Sequence, residues 1–94
     1  MINPLMKSKL LLIITKGCEA CKIANNLTEA AISNSNVDIV YEVTDVNQAS
    51  SALLKEAKVK DFPTTILIKD GKFIDSYSGT KPIAFIEKKI KLLN

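Results

Sequence analysis

The sequence lacks histidine and tryptophan and has only two cysteines among its 94 residues. A zinc site takes about four Cys, His or carboxylate ligands, so Cys18 and Cys21 without a histidine argue against a zinc site within one chain. Small disulfide-stapled proteins usually carry several cysteine pairs, and that class is not expected either. A metal ion shared between two chains stays open.

Long apolar runs, aromatic residues and dense charge are also scarce. The apolar run at residues 10–14 is shorter than the ~18–20 residues of a membrane span and the ~7–15 of a signal-peptide core. We therefore expect no membrane association and a cytoplasmic location. Aromatic residues make up 5%, and the net charge of +3 comes from scattered lysines, which argues against nucleic-acid binding. Hydrophobic residues, at 47%, are sufficient for one domain over residues 1–94.

What the chain does contain is an alternation of strand and helix patterns. Strands are predicted at residues 10–15, 37–43, 64–68 and 72–78, and helices at 18–33, from 45 to about 58, and after Pro82. The first two strands are predicted to be parallel, because a helix crosses between them. Asp70-Gly71 predicts a hairpin between the last two. The sequence therefore predicts an α/β fold with the order β-α-β-α-β-β-α.

Residues with capping side chains predict the helix ends. The first helix is expected to end at Asn34-Ser35-Asn36, where an asparagine can take the left-handed cap conformation. Asp45 and Gln48 have the spacing of a capping box that opens the second helix. Thr80 is expected to cap the third helix, with Pro82 in its first turn.

A Cys-x-x-Cys motif lies at the predicted junction of the first strand and first helix. Free N–H groups at a helix start carry partial positive charge and stabilise a thiolate, so we expect the pKa of Cys18 to lie below the ~8.5 of free cysteine. Cys21 is one turn away on the same helix face, where its thiol can attack a mixed disulfide formed at Cys18. This arrangement favours a redox dithiol over a structural disulfide.

Charged neighbours are expected to tune this dithiol. Glu19 opposes a thiolate at Cys18, whereas Lys16 and Lys22 favour it. We therefore expect a modestly acidic Cys18 and a reducing or intermediate potential.

Four segments together carry a family resemblance. They are Gly17-Cys18-Glu19-Ala20-Cys21 after the first strand, Phe62-Pro63-Thr64 before the third, Asp70-Gly71 in the hairpin and Ser78-Gly79-Thr80 before the last helix. With them, the chain resembles the thioredoxin superfamily from about residue 10 to residue 92, and in size it resembles a glutaredoxin or a glutaredoxin-like small thioredoxin. The resemblance implies a minimal thioredoxin fold, a four-stranded mixed sheet flanked by three helices.

The resemblance also implies roles for individual residues. Pro63 matches the family's cis-proline opposite the Cys-x-x-Cys motif. The backbone of Phe62, next to Pro63 and Thr64, would pair with an extended substrate, and Gly79 would leave room for it. The chain departs from typical thioredoxins in three ways. It has no Trp before Cys18, it has no carboxylate in the first strand, and it is shorter at its N-terminal end.

The predicted function is reduction of protein disulfides, with Cys18 as nucleophile and Cys21 as resolving thiol. No bound cofactor is expected. Electrons would come from thioredoxin reductase and NADPH or from glutathione, and the protein is expected to be a monomer. A glutathione-dependent glutaredoxin is the alternative, although Thr80-Lys81 replaces the acidic residues that glutaredoxins place after glycine. Lys16 could bind a glutathione carboxylate. A non-enzymatic binding or assembly module for a dedicated partner is the third possibility.

Overall fold

A computed structural model describes residues 7–94. Four strands form one sheet: β1 (Ser8–Ile14), β2 (Ile39–Asp45), β3 (Thr64–Lys69) and β4 (Lys72–Ser78). Three α-helices accompany them, α1 (Glu19–Ser33), α2 (Ser51–Glu56) and α3 (Ile83–Ile90), with 3₁₀ turns at Val46–Gln48 and Lys91–Leu93. The predicted element order is confirmed.

The sheet is mixed, with the order β2-β1-β3-β4. β1 is parallel to β2, as the crossover through α1 requires, and it is antiparallel to β3. β3 and β4 form the antiparallel hairpin predicted from Asp70-Gly71, and both turn residues have positive φ, 54° and 76°. A four-stranded mixed sheet flanked by three helices is therefore confirmed.

The predicted start of the second helix is wrong. Asp45 caps only the 3₁₀ turn, where its Oδ1 accepts a hydrogen bond from the Asn47 N–H at 2.8 Å. α2 begins later, and Ser50 is its N-cap, with Oγ accepting from the Leu53 N–H at 3.3 Å. Both residue types favour caps, and the later one opens the helix.

The predicted end of α1 at Asn34 is confirmed, but the left-handed conformation expected there and the cap predicted for α3 are wrong. Asn34 closes α1 with φ −84°, in the right-handed region. Pro82, in extended conformation, is the N-cap of α3 rather than a residue of its first turn, and no side chain caps this helix. Thr80 instead donates from Oγ1 to the Ala20 carbonyl oxygen at 3.3 Å, a contact between residues 60 positions apart.

Apolar side chains cover both faces of the sheet. We call the side against α1 and α3 the α1/α3 face; its buried cluster is Leu10, Ala31, Leu67, Ile86, Ile90 and Leu93. We call the other side the α2 face; its buried cluster is Leu11, Ile13, Ala57 and Ile66. Adjacent residues of β1 and β3 enter opposite clusters because side chains alternate along a strand. Each helix of residues 7–94 is too short or too polar to cross a bilayer.

Candidate active site

One edge of the sheet collects the residues that the sequence singled out. Pairing of Ile13 with Thr64 places the end of β1 beside the start of β3. Thr64 also pairs with Ser78 at the end of β4, and Ile14 pairs with Asp45 at the end of β2. The loops that carry the cysteines, Pro63 and Gly79 therefore leave the sheet at the same edge.

The two cysteines form a disulfide in the turn that opens α1. Cys18 is the N-cap residue of α1, and Cys21 lies on its first turn with a Cα–Cα separation of 5.2 Å. Cys18 is half-buried and Cys21 is only 4% exposed. An incoming disulfide therefore reaches Cys18 more readily than Cys21.

The start of α1 places a backbone hydrogen-bond donor at the sulfur of Cys18. The Cys21 N–H donates to Cys18 Sγ at 3.1 Å, in the position of a capping hydrogen bond. A thiolate at this sulfur would accept the same hydrogen bond and lie against the positive end of the α1 dipole. Gly17, with φ +75°, makes the sharp turn that brings Cys18 to this position.

The three flanking charges lie at the surface. Lys22 Nζ is 3.3 Å from Glu19 Oε1, with side chains 75% and 83% exposed, and Lys16 is exposed. Water screens such charges strongly. Glu19 and Lys22 pair with each other at the surface, and the effect of the three charges on Cys18 stays a prediction.

A second loop is held against the cysteine turn by hydrogen bonds. The Phe62–Pro63 peptide bond is cis, and the buried Pro63 accepts from the Gly79 N–H at 2.8 Å through its carbonyl oxygen. The next residue, Thr80, bonds to Ala20 between the two cysteines. Thr64 donates from Oγ1 to the Asp61 carbonyl oxygen at 2.6 Å. Gly79 and Thr80 thus connect the Pro63 loop to the start of α1.

Gly79 also leaves open space at this edge of the sheet. Its φ is +85°, which favours glycine, and a Cβ placed there would meet no atom within 4 Å. The space beside Gly79 and the half-buried Phe62 is consistent with the room that the resemblance implied for a substrate strand.

A cavity of about 400 Å³ opens on the β2 side of the disulfide. Its polar lining includes both cysteines and the side chains that approach from α1, the β1–α1 loop and β2: Lys16, Lys22, Asn25 and Asp45. Ile14 and Val43 contribute apolar wall. The buried Cys21 therefore lines a space large enough for several water molecules.

Asn25 is fixed at the wall of this cavity by Tyr41. The Tyr41 hydroxyl donates to Asn25 Oδ1 at 2.6 Å. Burial raises the pKa of Tyr41, and the negative charge of Glu29 raises it further. Tyr41 therefore remains a protonated donor, and the Asn25 amide group stays in place one helical turn beyond Cys21.

The sequence patterns did not indicate Asn25, Asp45 or Thr80 as site residues. Asn25 follows Cys21 by one helical turn and so had a detectable signal, whereas Asp45 was predicted to open the second helix and proves to end β2. Thr80 reaches the site through a distant contact that no local pattern indicates. Within residues 7–94, no group of three or more Cys, His, Asp or Glu side chains could hold a metal ion.

Comparisons with known proteins agree with this geometry. The Thioredoxin family model matches residues 3–92. The chloroplastic F-type thioredoxin of Pisum sativum is 35% identical over 75 residues, covering 80% of this chain and 41% of that protein. Mitochondrial thioredoxin 3 of Saccharomyces cerevisiae, solved in its oxidized form, has a TM-score of 0.73 and 30% identity, covering 93% of this chain and 79% of that one.

A third comparison concerns the fold alone. The reduced thioredoxin pre-protein of Schistosoma mansoni has a TM-score of 0.73 at 23% identity, covering 97% of this chain and 83% of that one. The chain spans about two fifths or less of the curated relatives it matches, 41% and 35% for two F-type thioredoxins. The family match extends over most of the chain, and the dithiol, the Pro63 loop and the Gly79 loop lie at one edge of the sheet, so the chain belongs to the thioredoxin family.

Proposed function

We propose that this protein reduces disulfide bonds in other proteins through its Cys18–Cys21 dithiol. The observation that carries the proposal is a cysteine pair in which Cys18 is the half-buried N-cap of α1 while Cys21 is buried beneath it. A purely structural disulfide would not need its more accessible sulfur at a helix start, where a thiolate is stabilised. The family membership of the chain supports the same reaction.

The first step would be attack of the Cys18 thiolate on a substrate disulfide. The Cys21 N–H and the α1 dipole stabilise that thiolate. Phe62, Pro63 and Thr64 would hold the substrate as an extended strand at the sheet edge, with Gly79 leaving space for it. The step forms a mixed disulfide at Cys18 and releases one substrate thiolate.

In the second step, Cys21 would attack Cys18 Sγ within the mixed disulfide. Attack at the turn of a helix is intramolecular, which makes it effectively first order. The second substrate thiol leaves, and the protein is left with the Cys18–Cys21 disulfide. The two electrons have then passed from the dithiol to the substrate, and no further cofactor is needed for this exchange.

Reduction of the protein's own disulfide completes the cycle. Thioredoxin reductase with NADPH is the electron source that we propose, and glutathione is the less favoured one because Thr80-Lys81 provides no carboxylate for its amino group. We also propose that the protein acts as a monomer. The cytoplasmic location stays a prediction, and the matched F-type relatives are chloroplastic.

The test is insulin reduction by the purified chain with two recycling systems. One reaction contains thioredoxin reductase and NADPH, and the other contains glutathione, glutathione reductase and NADPH. We expect turnover in the first, loss of turnover in Cys18→Ser, and accumulation of mixed disulfides in Cys21→Ser. Serine retains the size of cysteine and removes the thiol, so both variants test chemistry rather than packing.

The other outcomes distinguish the alternatives. Turnover with glutathione alone would make the protein a glutaredoxin. No turnover with either system, together with no trapped partner for Cys21→Ser, would contradict the reductase proposal and favour a binding module.

A further inference from the structure

Resolution of the mixed disulfide requires Cys21 to lose a proton, and β1 contains no group that could accept it. The four central residues of β1, Leu10 to Ile13, are apolar and at most 6% exposed. A buried thiol resists ionisation because desolvation disfavours its charged form. A proton acceptor for Cys21 must therefore come from another element.

The neighbouring strand provides one carboxylate at the right place. Asp45 pairs with Ile14, the last residue of β1, and it lines the same cavity as Cys21. It is the single carboxylate among the side chains that line this cavity. One of its oxygens, Oδ1, is held by the Asn47 N–H at 2.8 Å, which fixes the carboxylate at the end of β2.

We propose that Asp45 accepts the Cys21 proton during resolution, through water in the cavity between them. This inference rests on the proposed function and assigns Asp45 as its proton-relay residue. A cavity of about 400 Å³ admits several waters at roughly 30 Å³ each. Asn25, which Tyr41 holds at the same wall, would orient that water with its amide group.

The step balances without a further reactant. The Cys21 proton passes by water to the Asp45 carboxylate, and the resulting thiolate attacks Cys18 Sγ. The Cys18–Cys21 bond forms as the bond between Cys18 and the substrate breaks. The leaving substrate thiolate takes a proton from Asp45 or from solvent, which returns Asp45 to its charged form.

Two cations also face this cavity. Lys16 approaches from the β1–α1 loop and Lys22 from α1, but Lys22 is paired with Glu19 and both groups are exposed. Ile14 and Val43 bring no charge from β1 and β2. Asp45 is therefore the one carboxylate that faces Cys21 across this cavity.

The variant Asp45→Asn tests the inference because asparagine keeps the oxygen that caps the 3₁₀ turn and removes only the basic charge. Asp38→Asn is the matched control, since Asp38 immediately precedes the opposite end of β2 and is paired with Lys7 at 3.3 Å. The reduced proteins are mixed with dithionitrobenzoate in a stopped-flow instrument across pH. The first release of coloured thiolate reports Cys18, and the second reports resolution by Cys21.

The rate of the second phase should change in opposite directions if Asp45 acts as a base and if it acts only as a negative charge. Loss of a base should slow the second phase of Asp45→Asn by roughly a hundredfold at pH values where Cys21 is protonated, with the difference vanishing as pH rises. Loss of a charge alone would lower the pKa of Cys21 and speed that phase. We expect slowing, with the first phase and Asp38→Asn unchanged.

A second phase that is unchanged or faster in Asp45→Asn would overturn the relay. Asp45→Ser, which also retains a cap acceptor, should reproduce the slowing and so separates loss of the base from local misfolding. Absence of two-phase release or insulin reduction in the wild-type protein would instead contradict the proposed function itself.

Discussion

The two faces of the sheet are packed very differently. On the α1/α3 face, Leu10 and Leu67 of the sheet meet Ile86 and Ile90 of α3, all at most 2% exposed. On the α2 face, equally buried sheet residues such as Ile13 and Ile66 are covered by α2, a helix of six residues in which none is buried. The same sheet is thus enclosed firmly on one side and thinly on the other.

This difference divides the active site as well. The cysteines belong to α1 on the firmly packed face, whereas the Asp61–Pro63 loop follows α2 on the thin one. Regions with few buried apolar contacts unfold locally at a lower free-energy cost than the core does. We therefore expect the dithiol to be held rigidly and the Asp61–Pro63 loop to be the more adaptable part of the site.

Truncating one leucine on each face should give the largest difference in stability between the two faces. Leu10→Ala removes a fully buried side chain from the α1/α3 face and is expected to lower the free energy of unfolding by about 3 kcal/mol. Leu53→Ala truncates a half-buried side chain of α2 and should cost about 1 kcal/mol. Urea unfolding of both variants beside the wild type measures the two values. Equal losses would show that α2 covers its face as effectively as α3 does.

Loss of the N-cap of α2 should show whether the α2 face unfolds locally and independently of the α1/α3 face. Ser50→Ala removes the hydrogen bond to the Leu53 N–H and should cost about 1 kcal/mol. Since α2 is short and thinly packed, we expect faster amide hydrogen exchange confined to α2 and the following loop. Asp45→Asn, which retains its own cap, is the control and should leave exchange in α2 unchanged. Faster exchange throughout α1 and α3 would instead indicate that the two faces open together.

The parts of the fold that the sequence predicted correctly depend on local patterns. The apolar run of β1, the Asp70-Gly71 turn and the cysteine motif at a helix start each encode structure within a few residues. The start of α2 was mispredicted because Asp45 and Ser50 are both competent caps five positions apart. Only packing of the helix against the sheet selects between them.

The parts of the site that the sequence did not predict depend on distant contacts. The hydrogen bond from Thr80 to Ala20 joins two loops across 60 positions, and a threonine before a helix has the local pattern of a cap. The cavity beside Cys21 exists because Ile14 pairs with Asp45. Strand register of this kind depends on the whole sheet, so the position of Asp45 beside the cavity could not be predicted from local sequence.

The ion pair between β4 and α3 should contribute least to the free energy of unfolding. Lys89 Nζ lies 2.6 Å from Asp75 Oδ2 and also over the Phe85 ring at 5.6 Å. The hydrogen bond from Lys89 lowers the pKa of Asp75 below its ordinary value of 3.8, and the Ser76 N–H adds to this against the effect of burial. Both side chains are about a third exposed, so the pair should contribute only about 0.5 kcal/mol.

The sign of the pH dependence follows from the lowered pKa. The stabilisation is complete above the unfolded-state pKa of Asp75 and disappears as pH falls through its folded-state pKa. Asp75→Asn should therefore be less stable than the wild type at neutral pH and equally stable in acid well below pH 3.8. Lys89→Met retains much of the contact with Phe85 and should show the same convergence. A stability difference that persists unchanged into acid would assign the contribution of β4 and α3 to packing alone, and the α1/α3 face would then owe its firmness wholly to its apolar core.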